Sequence, residues 1–264
     1  MPMDILLMRL RAPMMSFGAP IVDSLGVIQP YPALSMVCGL LGNALGYHHR
    51  DADKLTRLQG RLRFAVRQDL AGRRLRDFQT ADLGQDFMLS NRAWTTSGVL
   101  DERAGGSAKT GTHIRKRDYW VDAAYTLAVG LEGEGEPSLE ALDGALRYPA
   151  RPLFIGRKPC VPSERISMGL TQADSLVHAL RRAPLAKNAP RRVAMGSWMR
   201  ARLGSDDQRC AMWWPQGDPN GEDPLDTFPV TDARDWANQI HVGQRWLCHG
   251  QVPIDTLCAE ASTP

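Results

Sequence analysis

Tyr119-Trp-Val-Asp-Ala-Ala-Tyr-Thr-Leu-Ala-Val-Gly-Leu131 is the most strand-like stretch of this 264-residue chain. Its aromatic and β-branched residues, unbroken by proline, predict a single strand over 119–131. Immediately downstream, Ser138 is placed to cap a helix through Leu146. Immediately upstream, from Ala81 to Lys116, periodicity disappears and Gly84, Gly98, Gly105, Gly106 and Gly111 punctuate a polar segment. A loop this long is functional or disordered, so it reads as an insert. Further back, Leu62–Leu70 reads as a strand carrying Arg63 and Arg67, Ala71-Gly72 as a turn, and Arg74–Thr80 as the returning strand of a hairpin. Lys54–Leu58 reads as a short helix. From Pro32 to Leu45 the apolar residues Leu34, Val37, Cys38, Leu41, Ala44 and Leu45 keep the helical period, with Pro32 suited to the first turn and Gly46 to the stop. Asp4–Leu10 makes a short first strand, and Met14–Pro20 a turn-rich loop.

The order strand, helix, strand, strand, insert, strand, helix approximates a ferredoxin-like (RRM-like) α+β unit of the kind RNA-binding domains share. Beyond it, Arg151–Cys160 reads as a strand running into a basic glycine turn. Thr171-Gln-Ala-Asp174 reads as the cap of a third helix to Arg182, and the remainder is β-leaning with turns from Gly217 to Pro224. The expected organisation is a main domain over 1–162, with its insert at 81–116, and a β-leaning extension over 163–264, acidic beyond 203.

Charge divides the chain the same way. Residues 203–264 carry ten Asp/Glu against three Arg, which leaves residues 1–202 with 29 Lys/Arg against 19 Asp/Glu. Such an asymmetry suggests a basic face for a polyanion and an acidic part that shields it or meets a basic partner. Within 1–202, Arg57, Arg61, Arg63, Arg67, Arg73, Arg74 and Arg76 fall inside twenty positions opposed only by Asp69. Arg181–Arg202 adds seven Lys/Arg without an acid. Guanidinium groups pair two phosphate oxygens at once, and Phe64, Phe78, Trp94, Tyr119 and Trp120 interleave with them as candidate base platforms. The alternative is a solvated charged face. The octapeptide of the common RNA-recognition domain is absent.

Other chemistry has little support. The cysteines (Cys38, Cys160, Cys210, Cys248, Cys258) are odd in number and form no C-x-x-C pair, which argues against a disulfide framework or a zinc site. No metal-binding, nucleotide-loop or nucleophile-elbow motif is present, so no cofactor is expected. No apolar run approaches the roughly 18 residues of a membrane helix. The N-terminus lacks the basic stretch and cleavage site of a signal, which predicts a cytoplasmic protein. His48 and His49 beside Tyr47, with His113 and Lys116 as distant partners, allow a metal-independent ribonuclease. Their simpler role is to satisfy carbonyls at the end of a helix.

Six ordered segments resemble the CasD family, the fifth Cas family, subunits of type I-E CRISPR Cascade complexes within the RAMP superfamily. They are Met14-Met-Ser-Phe-Gly-Ala-Pro20, Gly39-Leu-Leu-Gly-Asn-Ala-Leu-Gly46, Phe64-Ala-Val-Arg-Gln-Asp69, Leu75-Arg-Asp-Phe-Gln-Thr80, Arg117-Asp-Tyr-Trp-Val-Asp-Ala-Ala-Tyr-Thr126 and Pro152-Leu-Phe-Ile-Gly-Arg-Lys-Pro-Cys160, with a looser echo at Arg234-Asp-Trp236. The resemblance implies a non-catalytic subunit that grips the repeat-derived 5-prime handle of the guide RNA (crRNA), with the insert as a projecting thumb. Its implied partners are a Cascade backbone subunit, a large DNA-recognition subunit and, indirectly, target DNA, while a separate nuclease processes the RNA. Related members of another subtype cut the precursor themselves, which keeps the ribonuclease alternative open, and a stand-alone RNA-binding protein is a third reading. By position, Ser16, Phe17 and Gly18 would line the handle pocket with Ser35 and Gly39 near the helix start. Arg67, Arg74, Arg76, Arg157 and Lys158 would contact phosphates. In the thumb, Arg92, Arg103 and Lys109 would meet phosphates, and Phe87, Met88 and Trp94 would wedge against bases or a neighbouring subunit.

Overall fold

The computed structural model describes residues 2–19, 25–82, 93–94, 100–101, 112–186, 209–219 and 223–253. The first half runs β1 (Met3–Arg11), β2 (Met14–Met15), β3 (Leu25–Gly26), α1 (Leu34–Ala44), α2 (Ala52–Arg61), β4 (Leu62–Leu70) and β5 (Arg73–Asp82). Two short strands follow, β6 (Ala93–Trp94) and β7 (Leu100–Asp101), then β8 (Thr112–Val121), β9 (Ala124–Leu131), α3 (Leu139–Arg147), β10 (Ser167–Ala173) and α4 (Leu176–Arg182). The rest is β-structure: β11 (Arg209–Pro215), β12 (Asp226–Val230), β13 (Ala233–Asp235), β14 (Ile240–Val242) and β15 (Arg245–Pro253). The fold is α+β and dominated by sheet.

Seven strands form one sheet in the order β10-β1-β9-β4-β11-β15-β12, each pair of neighbours antiparallel. Alternating residues of its central strands feed two cores. Leu6, Met8, Phe64, Val66, Leu127 and Val129 pack under α1, α2 and α3. Ile5, Ala65, Ala128, Met212 and Trp214 pack on the other face against Leu176, Val177 and Leu180 of α4. Because both faces of β9 are covered, the whole run from Ala124 to Gly130 is buried, which is why its sequence reads as apolar without alternation. Truncating a side chain such as Leu127 to Ala would cost about 2–5 kcal/mol. The chain beyond residue 162 contributes to this same sheet, β10 beside β1 and β11 beside β4.

The sequence-based hairpin is not one. Leu62–Leu70 and Arg73–Asp82 lie end to end on a single arm, and the opposite arm is β8 followed by β9. β4 pairs with β9 from Leu62↔Leu131 to Leu70↔Ala124, and β5 with β8 from Arg73↔Val121 to Asp82↔Thr112. The two arms form a long ribbon that bends out of the central sheet. Gly72 takes φ +62°, and a Cβ there would lie 2.4 Å from the Val121 carbonyl oxygen; opposite it, Asp122 is left-handed at φ 58°. Both residue types tolerate that region, so Ala71-Gly72 bends the chain where a turn would have reversed it. For the same reason 119–131 is two strands, divided at Asp122.

Two further expectations change. Arg151–Cys160 is not a strand: Pro152 and Pro159 lack an N–H for a ladder. The segment instead folds back through Ile155 N to Cys160 O and Cys160 N to Arg157 O. The cap of α4 is Ser175, whose hydroxyl accepts the His178 N–H at 3.0 Å, while Thr171 belongs to β10. The helices at Pro32–Leu45 and Ser138–Leu146 stand within two residues of expectation, and Ser138 caps the latter.

Candidate nucleic-acid interface

A half-open groove of about 420 Å³ runs along α1. Ser35, Met36, Gly39 and Asn43 supply its floor; Ser16, Gly18, Phe154, Gly156 and Arg157 form one wall, and Arg234, Trp236 and His241 the other. Gly156 is obligatory for the first wall. It has φ +89°, and a Cβ would stand 1.7 Å from the Ser16 carbonyl oxygen, so only glycine lets the two backbones meet. Asn43 donates to the Pro152 carbonyl at 2.9 Å, and Arg151 donates to the carbonyls of Gly46 and Tyr47 beyond α1. That cation occupies the negative end of the helix.

The second wall is fastened to the other end of α1. The Asp232 carboxylate accepts the Leu34 N–H at 2.9 Å, its backbone carbonyl accepts the Ser35 N–H at 2.9 Å, and the Met36 and Val37 N–H groups go to Ala33 O. All four initial donors are therefore committed, leaving the start of α1 no free N–H for a phosphate. Trp236 is 9% exposed, and its ring edge lies 3.6 Å from where a Gly39 Cβ would be. The Arg234 guanidinium lies 5.5 Å from that ring's centroid and bonds Gln239 at 2.6 Å. Trp236 Nε1 and Arg234 Nε are buried and have no acceptor among the described residues, a state that costs about 1–3 kcal/mol per group.

Beside the groove, β5 and β8 expose a basic face. In antiparallel register, Arg74, Arg76 and Phe78 stand across from Trp120, Asp118 and Lys116. The buried Asp118 carboxylate bonds Arg76 Nε at 2.8 Å and also pairs with Arg74, while each arginine side chain remains 48% exposed. These bonds, Arg76's foremost and Arg74's after it, hold the Asp118 carboxyl down at about 2 against the opposing effect of burial. One carboxylate thus serves two guanidiniums, leaving a surplus positive charge at the surface. Phe78, 57% exposed, lies next along the strand. Arg157, from the groove wall, is tied to the backbone of β8, donating to Asp118 O at 2.9 Å and Gly26 O at 3.2 Å, with its guanidinium 4.9 Å from the centroid of Tyr119 on the alternate face of the ribbon.

Several expected site residues come together here: Ser16, Gly18, Ser35, Gly39 and Arg157 around the groove, and Arg74 and Arg76 on the ribbon. Lys158 is exposed but does not line the groove. Two assignments are corrected. Phe17 is fully buried, its ring edge-on to Tyr125 at 4.9 Å, and belongs to the core. Arg67 is 0% exposed and spends its five N–H bonds inside the protein: on Asp69 at 2.6 Å, on Leu180 O and Ala183 O, and on Thr126 Oγ1 and Pro184 O. It has no hydrogen left for a phosphate. Phe87, Met88, Arg92, Arg103 and Lys109 lie outside the described residues, and of Trp94 only the backbone is described. His48 and His49 are exposed past the end of α1 and do not line the groove. Asn43, Phe154 and His241 were missed. Arg234 and Trp236 were signalled only by the looser echo around them.

This architecture has known counterparts. A chain of a structure described as a CRISPR RNA-guided surveillance complex superposes with a TM-score of 0.70 at 23% identity, over 96% of this chain and 92% of that one. Another, described as a crystal structure of a Cas protein, does so with a TM-score of 0.57 at 25% identity, over 94% and 95%. The fold is that of a CRISPR-associated protein. The chain belongs to the Cas5 family of CRISPR-associated proteins, whose sequence profile matches residues 5–248. The Escherichia coli (strain K12) protein named CRISPR system Cascade subunit CasD is 26% identical over 183 residues, which span 66% of this chain and 75% of that relative.

Proposed function

We propose that this protein is a non-catalytic crRNA-binding subunit of a type I-E Cascade complex, holding the repeat-derived 5-prime handle of the guide in the groove along α1. The observation that carries this reading is the groove itself, walled on one side by Arg157, which also bonds the backbone of β8, the strand paired with the one that carries Arg74, Arg76 and Phe78. A concave, donor-lined slot beside cations and an exposed ring suits a single strand with splayed bases. The strand order β10-β1-β9-β4, with α1 between β1 and β4 and α3 between β9 and β10, supports the ferredoxin-like RAMP description. In it the β5–β8 ribbon interrupts the middle hairpin and leads to the proposed thumb. A backbone subunit, a large DNA-recognition subunit and, through them, target DNA are the proposed partners. Among the described residues the groove is lined by one histidine, His241, and a single imidazole suits gripping better than a two-group acid–base cleavage.

The test is a salt series with labelled repeat-derived RNA, analysed in parallel on a denaturing gel. The expected result is intact RNA, bound with a log-log salt slope of about −0.7 per neutralised phosphate. Salt-independent binding would remove the phosphate-gripping role. Specific cleavage that vanishes in His48→Ala or His49→Ala would establish the ribonuclease reading in its place.

A further inference from the structure

The wall of the groove made by residues 232–241 contains a built but uncompleted arrangement. Arg234 is fixed at three points. Its backbone N–H donates to Gln59 Oε1 at 3.0 Å, its carbonyl accepts Gln59 Nε2 at 3.0 Å, and its Nη2 donates to Gln239 at 2.6 Å. The Trp236 ring backs the guanidinium. The neighbouring carboxylates are otherwise engaged: Asp232 with α1 and Arg245, and Asp235 with the N–H groups of Ala237 and Asn238. What remains unpaired is Arg234 Nε and, within the same wall, Trp236 Nε1. Both groups can only donate. Neither has an acceptor among the described residues, and a ligand inserted against this wall would supply them.

We propose that Arg234, positioned by Trp236 and Gln59, is a specificity-determining residue that reads the acceptor edge of one unstacked base of the bound RNA, guanine in preference to the other three. The inference rests on the groove's being an RNA site. Its chemistry follows from the unpaired side of the guanidinium. Nε and Nη2 form a fork, and guanine offers the matching pair of adjacent acceptors, O6 and N7. Adenine and cytosine place an amino donor on the corresponding edge, and the faces of uracil interpose a donor between its two carbonyls. Lysine in place of Arg234 would keep the charge and lose the fork.

The experiment is fluorescence anisotropy on the full chain with RNA from the CRISPR repeat of the same genome, each guanosine replaced in turn by 7-deazaguanosine. The expected result is one position at which removal of N7 weakens binding about tenfold, within the range of a bidentate base contact. In Arg234→Lys that position should become indifferent to the replacement while the other positions respond as before. Trp236→Phe, which keeps a ring behind the guanidinium, should retain the position's preference in weakened form. Binding by the wild type with no sensitive guanosine, or a preference unchanged in Arg234→Lys, overturns the inference and leaves the RNA-binding role intact. Failure of the wild type to bind repeat RNA overturns both.

Discussion

Two arginine–aspartate clusters on the same ribbon, built to the same stoichiometry, end in opposite roles. On β4 and its neighbour β1, Asp69 pairs with Arg67 at 2.6 Å and lies 3.7 Å from Arg9; on β5 and β8, Asp118 pairs with Arg74 and Arg76. Each cluster carries two guanidiniums and one carboxylate. In the first, α4 and the residues after it cover the sheet and absorb the surplus donors through the carbonyls of Leu180, Ala183 and Pro184, with the Ala186 N–H completing Asp69. Burial itself pulls the Arg9 pKa down, against the pull of Asp69. In the second, among the described residues no layer covers the arginines, whose side chains are each 48% exposed, and the surplus charge is presented at the surface. What separates core ion from candidate phosphate contact is therefore the bend at Gly72 and Asp122, which carries one part of the ribbon under a helix and the other out from the sheet.

The largest effect that would break this contrast is at Arg67. Arg67→Ala should cost about 3–5 kcal/mol in urea unfolding, because it leaves Asp69 charged and buried without its main partner. A loss below about 1 kcal/mol with weakened RNA binding would return Arg67 to the interface. Next comes the exposed pair. Arg74→Ala with Arg76→Ala should lower affinity for repeat RNA by about tenfold or more and flatten the salt slope by up to about 0.7 for each phosphate no longer neutralised. An unchanged slope would assign these arginines to Asp118 alone. Phe78→Ala should weaken RNA binding by about tenfold, the lower range of base stacking, with no change in salt slope; a changed slope would mean the ring only positions Lys116 and Arg76.

The smallest effect concerns pH. Asp118 is depressed in the folded chain, so its contribution to stability is complete above the ordinary aspartate range near 4 and is lost as pH falls towards 2. A carboxyl-carbon NMR titration should place the Asp118 midpoint near pH 2 and find it higher in Arg76→Ala. An ordinary midpoint in the wild type would show that the two bridges do not persist in solution.

Much of the fold was legible because helix signals are local. Pro32, the 3.6-residue spacing and Ser138 marked α1 and α3 without reference to the rest of the chain. Strand partners are not local, and nothing in Ala71-Gly72 distinguishes a bend shared with Asp122 from a hairpin turn. The same limit applied to the site. The motif around Ser16–Gly18 and the basic turn at Arg157 could be placed, but Phe17 and Arg67 bear residue types as suited to an interface as to a core. Only the covering layers, Tyr125 over one and α4 over the other, decide between them. His241 was hidden, and Trp236 signalled only by a loose echo, for the converse reason, since their approach to α1 depends on Asp232 reaching back across nearly two hundred residues.

The most direct test of the central claim is photocrosslinking of 4-thiouridine-labelled repeat RNA to the full chain, with the attached peptides identified by mass spectrometry. Crosslinks should fall on the groove walls, Ser16–Ala19, Phe154–Arg157 and Arg234–His241, and on Arg74–Phe78 of the ribbon. Crosslinks concentrated at His48 and His49, or on surfaces remote from α1 and β5, would contradict the assignment of this groove and face to the guide RNA.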